Sequence, residues 1–156
     1  MSTTDRHSTA FPDLHDIEDL PADHAGAAIL PVETCLRLAA REAVGRLAFL
    51  ADGEIVVLPV NFTLRGSSVC FRSAVGSKVA AAVNHDTVTF EVDRYDLESQ
   101  TGWSVLLKGT ATSVTEEREI LALEDTGVEP WLGATGRPYW IRIRPDVVTG
   151  RAVIRR

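Results

Sequence analysis

Lysine is almost missing from this chain: Lys78 and Lys108 are the only two, against fourteen arginines. No apolar run approaches the roughly 20 residues that a bilayer-spanning helix needs. The first twenty residues lack both a basic start and a long apolar segment, so they do not read as a secretory signal. These two absences lead us to expect a cytoplasmic protein without membrane partners. A basic surplus is lacking as well, since 16 Lys and Arg face 22 Asp and Glu for a net charge of −6. Nucleic-acid-binding domains usually carry the opposite excess, so no nucleic acid is expected. Cys35 and Cys70 stand alone without CxxC spacing, and the four histidines (His7, His15, His24 and His85) show no metal-ligand spacing. Two structural thiols and no metal are the expectation.

What is present suits one domain with one core: 156 residues, 45% hydrophobic and 24% charged. The acidity is uneven. Residues 1–30 hold six acids against Arg6 alone, which leaves 16 acids and 15 bases for the body. The first thirty residues mix Pro, His, Ser, Thr and acids without periodicity. They read as an acidic, flexible arm, or one ordered only by contact with a body over 31–156.

The body alternates for most of its length. "VETCLRLAAREA" places Val32, Cys35, Leu36 and Ala39 or Ala40 on one face of a short helix, with Arg37 and Arg41 opposite. Strands follow in "VGRLAFL" and "EIVVLPVNFTL", joined by Asp52-Gly53, a strong signal for a two-residue hairpin. Pro59 suggests an edge or a bulge. "SSVCFRS" and "DTVTFEVDRY" read as further strands, and "GWSVLLKGTATSV" as a long one with Gly109 as a bend or bulge. "TEEREILALE" looks like a helix capped by Thr115, and "YWIRIRP" like a last strand before a short "GRAVIRR" end. Six or so strands with tight turns and few helices predict a mainly β fold, an antiparallel sheet closed into a small barrel.

The chemistry-bearing stretch is "FRSAVGSKVAAAV", at the passage from strand period to an alanine run. Two readings stand side by side. In one, a helix N-terminus holds a phosphate with its backbone N–H groups. Ser73 and Ser77 add hydroxyls, Arg72 and Lys78 add charge, and Gly76 relieves the backbone. In the other, Ser77 merely caps a helix and Lys78 is solvated. A P-loop is excluded, because Ser77 rather than glycine precedes Lys78.

Taken in order, "VGRLAF", "LPVNF", "FRSAVGSK", "VTFEVD" and "GWSVLLKGTATSV" resemble the pyridoxamine 5′-phosphate oxidase-like, flavin-binding split barrels over roughly residues 32–150. The resemblance implies a six-stranded Greek-key split barrel, paired as a homodimer, with flavin mononucleotide (FMN) in a groove between subunits. It implies that Val60, Asn61 and Phe62 lie along the flavin ring, and that Arg72, Ser73, Gly76, Ser77 and Lys78 bind its phosphate. It also implies that Trp103 and Ser104 approach the cofactor from the partner chain. Core packing of Val60, Phe62 and Trp103 is the competing reading. Trp131 and Arg137, in "EPWLGATGRP", are candidates for a lid and a substrate contact. True pyridoxamine phosphate oxidases carry an Arg-x-His pair near the C-terminus, whereas no histidine follows His85 here. The expectation is therefore an FMN-dependent oxidoreductase on another small molecule. A deazaflavin-dependent reductase and a non-catalytic flavin- or haem-binding barrel are the alternatives.

Overall fold

The computed structural model describes residue 17 and residues 19–73, 83–129 and 139–154. Gly76, Ser77, Lys78, Trp131 and Arg137 lie outside these residues, as does most of the helix expected to begin near Ser77. Seven strands run β1 (Ala28–Ile29), β2 (Val44–Ala51), β3 (Glu54–Arg65), β4 (Ser68–Ser73), β5 (Thr87–Asp96), β6 (Thr101–Ser113) and β7 (Tyr139–Val153). Two helices, α1 (Val32–Ala39) and α2 (Glu117–Glu124), complete the regular elements among the described residues.

The sheet order is β1-β7-β4-β3-β2-β5-β6, and β6 also pairs with β7. That pairing closes six antiparallel strands into a barrel, with β1 added outside the ring on β7. The barrel thus has the six strands expected, and β1 makes the sheet one of seven. β1 has only two residues and is made by its partner strand, so no local pattern announces it. Strands β2, β3 and β4 form a meander, and the chain then returns to lay β5 beside β2, which is the Greek-key order.

Local chemistry sets the turns. Asp52 and Gly53 both take positive φ, 51° and 78°, as a primed two-residue hairpin requires, and Ala51 pairs Glu54 across it. Pro59 sits on β3 where that strand pairs only β2, so its missing N–H faces an open edge. Between Lys108 and Gly109 the register with β7 shifts: Lys108 pairs Val147 and Gly109 pairs Pro145, leaving Asp146 as the extra residue of a bulge. A Cβ on Gly109 would lie far inside van der Waals contact with the Arg144 carbonyl oxygen. The bend therefore needs glycine for close backbone approach.

The barrel interior is a continuous apolar cluster. Phe62 meets Phe90 edge to face, with ring centroids 4.9 Å apart, and Leu47 pairs Phe90 from β2. The helices depart in detail from the sequence reading. In α1 the buried face is Cys35, Leu38 and Ala39, while Val32 is 50% exposed. The helix is turned so that Leu38, rather than Val32, meets the core. In α2 the N-cap is Glu116 without a side-chain hydrogen bond, so Thr115 does not cap it. Leu123 of α2 packs with Cys70, Val114 and Trp140 in a second small core outside the barrel.

The last part of the acidic arm is folded onto the body. Ile17, Ala28 and Leu30 are buried in the main core. Asp23 accepts hydrogen bonds from the backbone N–H groups of Ala25 and Ala27 at 2.9 and 3.0 Å and pairs with Arg151 at 3.3 Å. Among the described residues no helix is long and apolar enough to cross a membrane.

Candidate functional site

On a strand, alternate residues face opposite sides of the sheet. The register of β3, β4 and β7 therefore builds a three-row grid on the outer face of the barrel. In the first row Arg72 stands opposite Trp140, with Asn61 one step along from the Phe62–Phe71 pair. The second row is Thr63, Cys70 and Arg142. In the third, Arg65 pairs Ser68, and Arg144 lies one step beyond the Val69–Ile143 pair. The other face of the same strands, with Phe62, Phe71 and Ile141, fills the barrel.

The first row has the chemistry of a ligand site. The Arg72 guanidinium carbon lies 5.6 Å from the centroid of the Trp140 ring, a cation–π distance. The Arg72 side chain is 19% exposed, and the largely exposed Glu129 carboxylate lies 3.7 Å from its guanidinium. Arg72 Nε and Trp140 Nε1 are both buried and without a hydrogen-bond acceptor among the described residues. Buried N–H donors are almost always paired, and one left open costs about 1–3 kcal/mol. Two such donors side by side fit an anionic or carbonyl acceptor brought by a ligand. Asn61 is placed by its Nδ2, which donates to the Ala43 carbonyl at 3.3 Å.

The other expected residues divide between the two faces. Val60 and Asn61 are half-buried. Phe62, 4% exposed, points into the barrel, so its backbone alone is available to a ligand outside. Ser73 is 8% exposed and alternates onto the Phe71 side of β4, so its hydroxyl does not converge with the Arg72 guanidinium. Trp103 is 5% exposed and belongs to the main core, as the packing reading of that residue had it. Its neighbour Ser104 is exposed and lines a groove of about 640 Å³ with Tyr95, Leu97, Arg151 and Val153.

The sequence reading missed Trp140, Arg142 and Arg144. The signal was present in "WIRIR": in a strand this alternation places one tryptophan and two arginines on a single face. Arg142 is fixed from α2, its Nη1 donating to Glu119 Oε1 at 3.2 Å and lying 3.0 Å from Oε2 in an ion pair. Cys70 is buried beside it. Burial pushes the Cys70 thiol pKa up, and the adjacent Arg142 opposes that rise. Among the described residues no group of His, Cys, Asp and Glu is arranged to hold a metal ion.

Comparison with known proteins gives a consistent result. The family model of pyridoxamine 5′-phosphate oxidase matches residues 31–152. The solved structure of an FAD-binding protein from Mycobacterium smegmatis superposes with a TM-score of 0.71 at 32% identity, covering 81% of this chain and 99% of that one. A conserved protein of unknown function from Corynebacterium diphtheriae superposes with a TM-score of 0.69 at 36% identity, over 82% of this chain and 98% of its own. An uncharacterized protein of Mycobacterium tuberculosis is 28% identical over 127 residues, 78% of this chain and 82% of that protein.

Proposed function

The chain belongs to the pyridoxamine 5′-phosphate oxidase family, and on that premise we propose that it is a flavin-dependent oxidoreductase acting on a small molecule, with FMN as its cofactor. The observation that carries this reading is the pair of buried, acceptor-less donors at Arg72 Nε and Trp140 Nε1. The Mycobacterium smegmatis relative is named for FAD. FAD and FMN share the ring, the ribityl chain and the first phosphate, so donors placed for one suit the other.

When bound, the flavin supplies the electron and hydride transfer, while the protein supplies position and electrostatics. Arg72 offers its planar fork to the phosphate in charge-assisted hydrogen bonds. The Trp140 indole beneath it fixes the plane of that fork and adds a second donor. Glu129 is the carboxylate that an incoming phosphate displaces from Arg72. Gly76, Ser77 and Lys78 complete the phosphate cradle on the strength of the family resemblance, and Val60 and Asn61 border the ring. Trp131 and Arg137 are the proposed lid and substrate contact. The missing Arg-x-His pair speaks against pyridoxamine phosphate as the substrate.

The working unit is a homodimer. Its support is an apolar face on the β2–β3 hairpin, where Leu50, Ile55 and Val57 are 62%, 77% and 57% exposed. Leu50 pairs Ile55 and Ala48 pairs Val57, so all of these share one face beside the open edge of β3. Such a face is the usual mark of an association surface. Ser104 and its groove then supply the second wall of the cofactor site from the partner.

The test is the visible spectrum of the purified protein, followed by identification of any pigment released on unfolding. FMN is expected, with oxidation of reduced nicotinamide by the loaded protein. A colourless protein that does not bind added FMN, or one that prefers a deazaflavin coenzyme to FMN, contradicts the reading.

A further inference from the structure

The third row of the outer face lies four residues along β4 from Arg72, about 13 Å at the rise of a strand. It opens into a recess of about 560 Å³ lined by Leu64, Arg65, Gly66, Ser68, Arg142 and Arg144. Among the described residues three guanidinium groups border this space and no carboxylate lines it. Arg142 is the fixed member: its side chain is 12% exposed and is held by Glu119. Arg65 and Arg144 are exposed and reach in from opposite sides of Ser68. Among the described residues neither has a carboxylate within ion-pair distance, so Glu119 leaves two of the three positive charges unbalanced. Gly66 takes φ 62° at the hairpin turn, and a Cβ there would meet nothing within 4 Å, so the rim is open on that side.

We propose that this recess is a second anion site, distinct from the Arg72 row, which takes the phosphate of a phosphorylated small molecule. The body is close to neutral overall, so three converging arginines are a local concentration of charge and not part of a general basic surface. Two unbalanced charges match a phosphate dianion. The guanidinium fork of Arg65 or Arg144 pairs with two phosphate oxygens at once. The Ser68 hydroxyl, between those two arginines, donates a further hydrogen bond from the floor. Arg142, anchored to α2, sets the depth to which the anion enters. The exposed arginines confine only the phosphate end, and the remainder of the molecule lies over the Gly66 rim.

The test is a titration of the isotope-labelled full chain with inorganic phosphate at constant ionic strength, followed by NMR, with and without saturating FMN. Saturable shifts are expected at the Gly66 and Ser68 amides and at the Arg142 side-chain N–H. Arg65→Gln and Arg144→Gln each weaken binding about tenfold, the loss of one charge-assisted contact, whereas Arg72→Gln changes it less than twofold. Both arginines are exposed, and an unchanged amide spectrum elsewhere establishes that each variant is folded. Should either glutamine variant misfold, Arg144→Lys, which keeps the charge without the fork, weakens binding by a smaller factor. Ribose 5-phosphate binds at least as tightly as inorganic phosphate. Absence of saturable shifts, full affinity in the Arg65→Gln/Arg144→Gln double variant, or rejection of the ester overturns the proposal. So does loss of phosphate binding once FMN is bound, which would make the recess the flavin's own phosphate site. Failure of FMN to bind at all bears on the proposed function and leaves the flavin-free titration to decide this one.

Discussion

Arg72 and Trp140 face each other across β4 and β7, the guanidinium 5.6 Å from the indole centroid, and each keeps a buried N–H that no described residue satisfies. The two residues are nearly seventy positions apart in sequence. The return of β7 to the side of β4 brings them together. A buried donor left open costs about 1–3 kcal/mol, and the proposed flavin site rests on this pair on the outer face of the barrel.

The bulge at Gly109 makes a stability prediction. A methyl group there has to displace the Arg144 backbone, because the nearest atom is a carbonyl oxygen and not the end of a flexible side chain. Gly109→Ala is expected to cost about 1–3 kcal/mol or more, the usual penalty for overpacking. Urea unfolding measures it; a loss under about 0.5 kcal/mol, the range of an ordinary surface change, means that the strands do not approach as closely as described.

Asp23 gives a pH dependence for the arm. The Ala27 backbone N–H, with further help from Ala25 and Arg151, holds its carboxyl below the ordinary aspartate range, against the opposing effect of burial. A lowered pKa in the folded state means that the arm's attachment is fully present above the ordinary value, about 3.9. It is lost as the pH falls through the depressed value. Exchange of the Ile29 and Leu30 amides, which donate to Pro21 and Gly150, is expected to accelerate below that point before the barrel unfolds. Asp23→Ala reproduces the effect at neutral pH. Equal protection in the variant removes Asp23 as the clasp.

Cys35 is fully buried, and burial raises its thiol to about 11. The sign follows directly: the folded state keeps the proton that the unfolded chain, with a thiol near 8.5, gives up. Stability is whole below about 8.5 and falls as the pH rises toward about 11. At pH 8 a thiol reagent is expected to modify Cys35 at the rate of unfolding, and rapid labelling of the native protein contradicts this environment. A bulkier neighbour is excluded as well, because a Cβ on Gly150 would stand 2.5 Å from the Cys35 sulfur.

The exposed hairpin face predicts the state of association. Ile55→Lys places a charge at the most exposed of the three apolar side chains. It is expected to shift sedimentation from dimer to monomer without lowering the unfolding midpoint of the isolated barrel. A wild-type chain that sediments as a monomer, or a variant that remains a dimer, removes this face from the interface.

The fold was legible where local chemistry acts alone. Asp52-Gly53 needs positive φ at both positions, and Gly109 marks the bulge, so both could be read from the chain. The Greek-key order came instead from the ordered set of resembling segments. Two helix details were misplaced by local rules. Leu38, and not Val32, turns inward because the helix must meet β7, and Glu116 takes the N-cap position because Thr115 lies one residue too early. Strand β1 exists only as an addition to β7, so its two residues carry no pattern of their own. Site residues divide in the same way. Arg72 was visible as a cation beside a period change, and the alternation of "WIRIR" puts Trp140, Arg142 and Arg144 on one face. Bringing that face beside Arg72 and Arg65 required the β3-β4-β7 order that only tertiary structure supplies. The alternation of β4 separates Arg72 from Ser73, a distinction that adjacency in sequence conceals.

The most direct measurement is a titration of the flavin-free protein with FMN, followed by quenching of flavin fluorescence, for the wild type and for Arg72→Gln. If Arg72 and Trp140 present their open donors to the cofactor, the wild type binds saturably. The variant then loses about 1.5–3 kcal/mol, roughly ten- to a hundredfold in affinity, as expected for a hydrogen bond to a charged group. Equal affinity in the two proteins, or no binding by either, would show that this pair does not receive a flavin.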